Sequence, residues 1–248
     1  MDNSDLFTYE GYKNLLNILL TNKFKFKSFQ SSYTERKVVV LRHDVDLSLQ
    51  PALKIAQIEH EAGVNSTFFV FISTNFYNVF SKESSQQINE IIKYGHMIGL
   101  HFDESKYEIS DSNDLEIKIN EERKLLEFVI EKPVDVVSMH KPSPSILNNN
   151  IEFQTIINTY SRKFINDFKY VSDSRMNWKE DIKKIIASGN FNRLHILTHP
   201  IWYSNFNGSA RIRLLDFVNN FQFELISHLK SNISNVNEFI SESDLIKN

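Results

Sequence analysis

Five polar clusters, each placed where an apolar run stops, constrain this chain more than any other feature. They are Arg42-His43-Asp44-Val45-Asp46, the stretch from Gly95 to Asp103, Ser138-Met139-His140-Lys141-Pro142, Ser172-Asp173-Ser174 and Thr198-His199-Pro200. In an α/β barrel the C-terminal ends of the strands open on one face, so residues far apart in sequence converge there on one reacting centre. His, Asp and Lys gathered at such ends point to a hydrolase that uses a metal ion.

The order of apolar runs agrees with a barrel. Tyr12, Leu15, Leu16, Leu19 and Leu20 recur at helical spacing and predict an opening helix. Val38 to Leu41 reads as a short buried strand ending at Arg42. A helix with Ala52, Ile55, Ala56, Glu59 and Ala62 on its spacing follows, with Pro51 near its start and Gly63 as its C-cap. The unit then repeats, with strands expected at 67–72, 97–100, 134–139, 170–172 and 194–197, and helices at 84–94, 114–130 and 212–229. Alternating strands and crossover helices imply a mostly parallel sheet, hence a barrel or a doubly wound sheet. At 248 residues with no Pro/Gly/Ser-rich linker, the chain fits one domain over 1–248.

Composition narrows the chemistry. There is no cysteine, so a disulfide framework, a thiolate metal site and a cysteine nucleophile are excluded, and any metal must sit on His, Asp or Glu. A net charge of −3 supplies no basic field for nucleic acid or an anionic membrane. No run approaches the roughly 18 apolar residues of a membrane span. The acidic, polar start Met1-Asp2-Asn3-Ser4-Asp5 lacks the basic, then apolar, pattern of a secretory signal, so a cytoplasmic protein is expected.

Asp44 and Asp46 stand two apart, where one can bind a cation while the other takes a proton; the competing reading is that Asp46 or Ser48 caps the next helix. His101, Asp103 and His140 can face the same cavity. Imidazole and carboxylate ligands together suit zinc, iron, manganese, cobalt or nickel, with a position left for water. His199, past the last strand, is a candidate proton donor, since an imidazole holds or releases a proton near neutrality. Asp173 can orient it, or merely cap a turn with Ser174. His96 reads as structural. Trp178, Trp202 and Tyr203 can stack on a sugar or belong to the core.

With these motifs in order, the chain resembles the polysaccharide deacetylases (carbohydrate esterase family 4, the NodB-homology group), and more closely their divergent branch associated with surface-polysaccharide biosynthesis. The resemblance runs from about Val38 to Tyr203. It implies a distorted (β/α)7 TIM-like barrel of the NodB-homology fold. It maps a catalytic base onto Asp44 and a metal-ligand Asp onto Asp46. Gly95 to His101 matches the Gly-His-x-Ile-Gly-x-His motif and makes His101 a metal ligand. The family's second histidine falls on Ser105 here; His140 is the expected replacement and Asp103 the runner-up. Lys141 takes the place of an arginine that orients Asp44, while Asp173 and His199 match the carboxylate and acid of the later motifs. The implied activity is metal-dependent removal of an N-acyl group, N-acetyl first, from an amino sugar, with zinc the first choice of metal. Two other readings stand beside it: an inactive, metal-free homologue that binds sugar or a partner, and a metal-dependent isomerase or aldolase on the same scaffold.

Overall fold

The computed structural model describes residues 6–240. The chain divides into two compact units, Met1–Asn207 and Gly208–Asn248. The second is led by one helix, Ala210–Asn232, whose first turn is capped by the Ser209 hydroxyl accepting from the Ile212 N–H. Among the described residues no helix is long and apolar enough to cross a membrane.

The first unit is built on parallel strands. In chain order its elements are α1 (Tyr9–Thr21), β1 (Lys25–Phe26), β2 (Val38–Val45), α2 (Leu49–Glu61), β3 (Thr67–Val70), α3 (Lys82–Lys93), β4 (Met97–Phe102), α4 (Ser112–Ile130), β5 (Val136–Met139), α5 (Pro144–Asn148), β6 (Ile157–Asn158), α6 (Arg162–Ile165), β7 (Lys169–Ser172), α7 (Ile182–Ser188) and β8 (Arg193–Thr198). The sheet runs β6-β5-β4-β3-β2-β8-β7 and every pairing is parallel. It curls into the expected distorted (β/α)7 barrel. Among the described residues no pairing joins β6 to β7, so the wall is open at that seam.

β2 is the spine. It pairs with β8 along Val38 to His43 and with β3 along Arg42 to Val45, while β1 pairs with its first two residues. Because both edges are hydrogen-bonded, the strand continues through Arg42, His43 and Asp44 to Val45, where the apolar run alone predicts a stop at Leu41. Successive side chains point to opposite faces of a strand. Val38 and Val40 enter an inner cluster with Phe29, Phe69, Val136, Phe164 and Phe168. Val39, Leu41 and Val45 enter the larger core between sheet and helices, with Leu15, Leu16, Ile55, Ala56 and Ile88. Each such fully buried Leu, Ile or Phe contributes roughly 1.5–3 kcal/mol. By the same alternation Arg42 and Asp44 point into the barrel and His43 points out at the helices.

Two local features aim the site. Ser48 caps α2 with its own hydroxyl, which leaves Asp46 free of the capping role. On β4, a Cβ added at Gly99 would meet the Phe69 ring at 2.4 Å, so only glycine lets the strand pass the inner cluster and deliver His101.

Candidate functional site

Inside the barrel mouth, Arg42 and Asp44 form a buried ion pair, with Nη2 at 3.1 Å from Oδ2. Nη1 donates to Thr159 Oγ1 at 2.7 Å and Nη2 also to the Tyr160 hydroxyl at 3.0 Å. The guanidinium lies over the rings of Phe69 and Tyr160. Burial works against its charge, but Asp44, Tyr160 and Tyr170 together outweigh burial and raise its pKa. Ser138 Oγ approaches both oxygens of Asp44 at 3.4 and 3.5 Å. Asp44 is thus clamped from two strands. The cation doing so is Arg42, two residues before it on β2. Lys141, expected in that role, is exposed on a backbone with φ of 47°. The strand's continuation past Leu41 turns Arg42 inward, and that position was not assigned from the sequence.

Asp46 and His101 come together as expected. His101 is buried, and its Nδ1 lies 3.0 Å from the Ser138 carbonyl, an acceptor only, so this nitrogen carries a hydrogen. Nε2 then faces Asp46 Oδ1 at 3.0 Å, with Asp44 Oδ2 at 3.9 Å. For His101, burial pulls the pKa down, yet Asp44, Asp46 and the Ser138 carbonyl raise it overall. Asp46 stays a carboxylate: burial pushes its pKa up, but the bond to His101 and the nearby His199 and His140 pull it lower. An imidazole nitrogen and a carboxylate oxygen thus meet tip to tip across a hydrogen bond, with a second carboxylate behind, a pair that would suit a cation once Nε2 gives up its proton.

The third expected ligand is turned elsewhere. His140 lies edge-on to His101, ring centres 5.4 Å apart, and its Nδ1 donates to Asp103 Oδ2 at 3.4 Å. Asp103 is held in turn by Ser105, whose N–H and hydroxyl donate to Oδ1 at 3.1 and 2.7 Å. Burial, first, and the charge of His101 hold His140 below its ordinary pKa. Among the described residues no three His, Asp or Glu side chains are disposed to share one metal ion. The set Asp46, His101 and His140 is therefore two facing donors with a third histidine alongside, tied to Asp103.

Across from the carboxylates, Asp173 is fully buried and wholly committed to His199 and Tyr203. His199 Nδ1 donates to Oδ1 at 2.6 Å, the His199 backbone N–H reaches Oδ1 and Oδ2 at 3.0 and 3.1 Å, and the Tyr203 hydroxyl donates to Oδ2 at 2.9 Å. Asp173 begins a short 3₁₀ turn, Ser174–Met176, without capping it, so the turn-cap reading fails. Burial alone would lower the His199 pKa; the bond to Asp173, then the charges of Asp173, Asp44 and Asp46, raise it to about 9. His199 is consequently an imidazolium at neutral pH, opposite two carboxylates.

Of the two readings of the aromatics, the core one holds. Tyr203 and Trp178 are buried, at 2% and 4% exposure, and Trp202 packs half-buried on the main core, so their rings are taken up by packing. His96 is structural, as its sequence setting suggests: Nε2 donates to the Ala56 carbonyl and Nδ1 accepts from the Ser66 N–H.

No protein-family model matches this chain, and no curated protein matches it by sequence. Its structural neighbours are polysaccharide deacetylases and esterases of carbohydrate esterase family 4. One is a family 4 pseudoenzyme from Bacillus anthracis, at 14% identity and a TM-score of 0.46, covering 77% of this chain and 63% of that one. Another is the catalytic domain of a peptidoglycan N-acetylglucosamine deacetylase from Eubacterium rectale, at 15% and 0.47, covering 79% and 89%. A third is a family 4 acetyl xylan esterase from Clostridium thermocellum in complex with a cobalt ion, at 14% and 0.45, covering 66% and 74%. The chain spans just under two thirds of the Bacillus pseudoenzyme's length.

Proposed function

We propose that this chain hydrolyses an N-acyl group, N-acetyl first, from an amino sugar or a sugar-containing biosynthetic intermediate in the cytoplasm. The observation that carries the reading is His199 bonded to the buried Asp173 at 2.6 Å, close enough to Asp44 and Asp46 for their charges to favour its protonated form. A site that only binds has no need of an acid set opposite a base.

Asp44 accepts a proton from water as the water oxygen attacks the acyl carbon. Arg42 and Ser138 hold its oxygens so that the carboxylate keeps one orientation. The C–N bond then breaks as His199 gives its proton to the nitrogen; without that proton the amine is a very poor leaving group. Asp173, fixed by Tyr203, stabilises the imidazolium before the transfer. The proton on Asp44 returns to His199 and closes the cycle. A divalent transition metal, zinc first, would be held by Asp46 and His101, His140 being tied to Asp103, and would supply polarisation of the acyl oxygen and a more acidic water. Lys141 has no part in this reading.

The second reading, an inactive sugar- or partner-binding protein, is favoured by one observation, the tie of His140 to Asp103 and Ser105. One experiment separates the two. Turnover of an acetylated chitooligosaccharide and of 4-nitrophenyl acetate is compared in wild type and His199→Ala. Loss of the general acid slows the amide by ~10²–10⁴-fold and leaves the activated ester nearly unchanged. Equal losses would remove His199 from the acid role. Absence of turnover on both probes by zinc-loaded and cobalt-loaded wild type would favour the binding reading, whereas an isomerase or aldolase activity that survives His199→Ala would favour that third reading instead.

A further inference from the structure

Behind the barrel wall a second carboxylate is buried as completely as Asp173, and the proposed reaction does not use it. Glu59 of α2 is 0% exposed. Its Oε1 accepts from the Tyr12 hydroxyl of α1 and from His43 Nε2 of β2, the latter at 2.9 Å, and its Oε2 accepts from Ser66 Oγ at 2.5 Å. Burial pushes its pKa up, but His43, with His96 and the Ser66 hydroxyl, together hold it below the ordinary carboxylate value, so Glu59 stays ionised. His43 in turn lies flat on Phe68 and sets its Nδ1 2.5 Å from Thr198 Oγ1 of β8. Thr198 is the register partner of His43 across the β2–β8 ladder.

The residues that follow these two are Asp44 and His199. A second link runs from the same carboxylate. The Tyr12 ring meets the Tyr203 ring edge-on at 5.2 Å, and the Tyr203 hydroxyl holds Asp173. A buried carboxylate is costly, and apolar residues of its size would pack α2 on β2 at least as stably. Apolar packing does not, however, tie one strand end to its neighbour, whereas directional bonds do.

We propose that Glu59 and His43, acting through Thr198 and Tyr12, are positioning residues that set the placement of His199 relative to Asp44. The proposal rests on the roles of Asp44 and His199 given above. Neither Glu59 nor His43 touches the reacting atoms: His43 projects to the helix side of β2 and Glu59 lies beyond it.

The test uses the full chain and two readouts, only one of which needs turnover. The first is the solvent-exchange rate of the His199 Nδ1 proton, read by NMR, beside the melting temperature. In Glu59→Gln and in Thr198→Val, which keeps volume but removes the hydroxyl, that rate rises at least about tenfold, because the Asp173–His199 bond opens more often. Thr198→Ser, which restores the hydroxyl, returns it to within about twofold of wild type. The second readout is hydrolysis of the acetylated chitooligosaccharide, where kcat falls by ~10–100-fold with KM unchanged, as a small misplacement of catalytic groups demands. A lower melting temperature with the His199 proton unmoved in both Glu59→Gln and Thr198→Val would make the network merely structural and overturn the proposal. If Glu59→Gln fails to fold, Thr198→Val against Thr198→Ser decides alone. If wild type turns over no amide, the hydrolase reading falls while the NMR comparison still decides this one.

Discussion

Replacing Asp173 with asparagine removes one charge from the most enclosed bond of the site and keeps its shape. The introduced carboxamide can leave its oxygen on the His199 side, where Asp173 Oδ1 now lies 2.6 Å from Nδ1 and 3.0 Å from the backbone N–H. Its amide nitrogen then faces the Tyr203 hydroxyl, which can accept as readily as donate. What disappears is the largest influence raising His199 to about 9. Without it, burial pulls the imidazole to its ordinary value of about 6.5 or below, a change worth about 3 kcal/mol between the protonation states. At pH 7.5 the imidazolium fraction drops from about 97% to about 9%. Amide hydrolysis at that pH falls about tenfold through lost acid alone, and the loss shrinks towards pH 5.5, where both forms are mainly protonated. The sign follows from the direction of the shift: a raised pKa extends the acid form upward in pH, so its removal cuts the alkaline limb and spares the acidic one. The assay is a pH profile of kcat/KM on the acetylated chitooligosaccharide, beside an NMR titration of His199 in the same Asp173→Asn variant. A His199 midpoint within about half a pH unit of wild type would refute the reasoning, and so would a loss of activity equal at pH 5.5 and 7.5.

Two further outcomes follow from the other half of the site. Elemental analysis after loading with zinc or cobalt should find about one ion per chain, with Asp46→Asn and His101→Ala each abolishing it, because these two donors face each other at 3.0 Å; retention of metal by both variants would place any ion elsewhere. Arg42→Met should destabilise the fold by ~3–5 kcal/mol in urea unfolding, since it leaves Asp44 buried without its cation, whereas Lys141→Met, at an exposed position, should fall within about 0.5 kcal/mol of wild type.

The convergence of Asp44, Asp46, His101, His140, Asp173 and His199 was legible in the sequence, because all six sit at or just past ends of parallel strands. Their partners were harder to read. Whether Asp173 caps a turn or holds His199 depends on where β7 lies against β8, and the register that pairs Ser172 with Leu197 brings it beside His199. That long-range pairing leaves no local trace. Ser105 read as the loss of a histidine. In the fold its hydroxyl and N–H fix Asp103, and Asp103 holds His140, so the substitution redirects a neighbour rather than leaving a gap. The short elements β1, β6, α5 and α6 were also missed, since two to five residues are too few to show a period.

Arg42-His43-Asp44 carries the sharpest lesson, because as a sequence it looks like one polar patch crowding one cavity. A strand cannot use it that way. Alternation sends Arg42 and Asp44 inward to each other and His43 outward to Glu59, so two ionic networks lie back to back across a single backbone. Each is satisfied only on its own side. A slip of one residue in β2 would turn His43 into the inner aromatic cluster and bury Arg42 and Asp44 against the apolar faces of the helices, leaving charges without partners at several kcal/mol each. The chemistry of the mouth and the register of the spine strand are therefore one constraint. The same three residues that position the candidate base also tell β2 how to pair with β3 and β8, which explains why so polar a segment lies wholly inside the sheet.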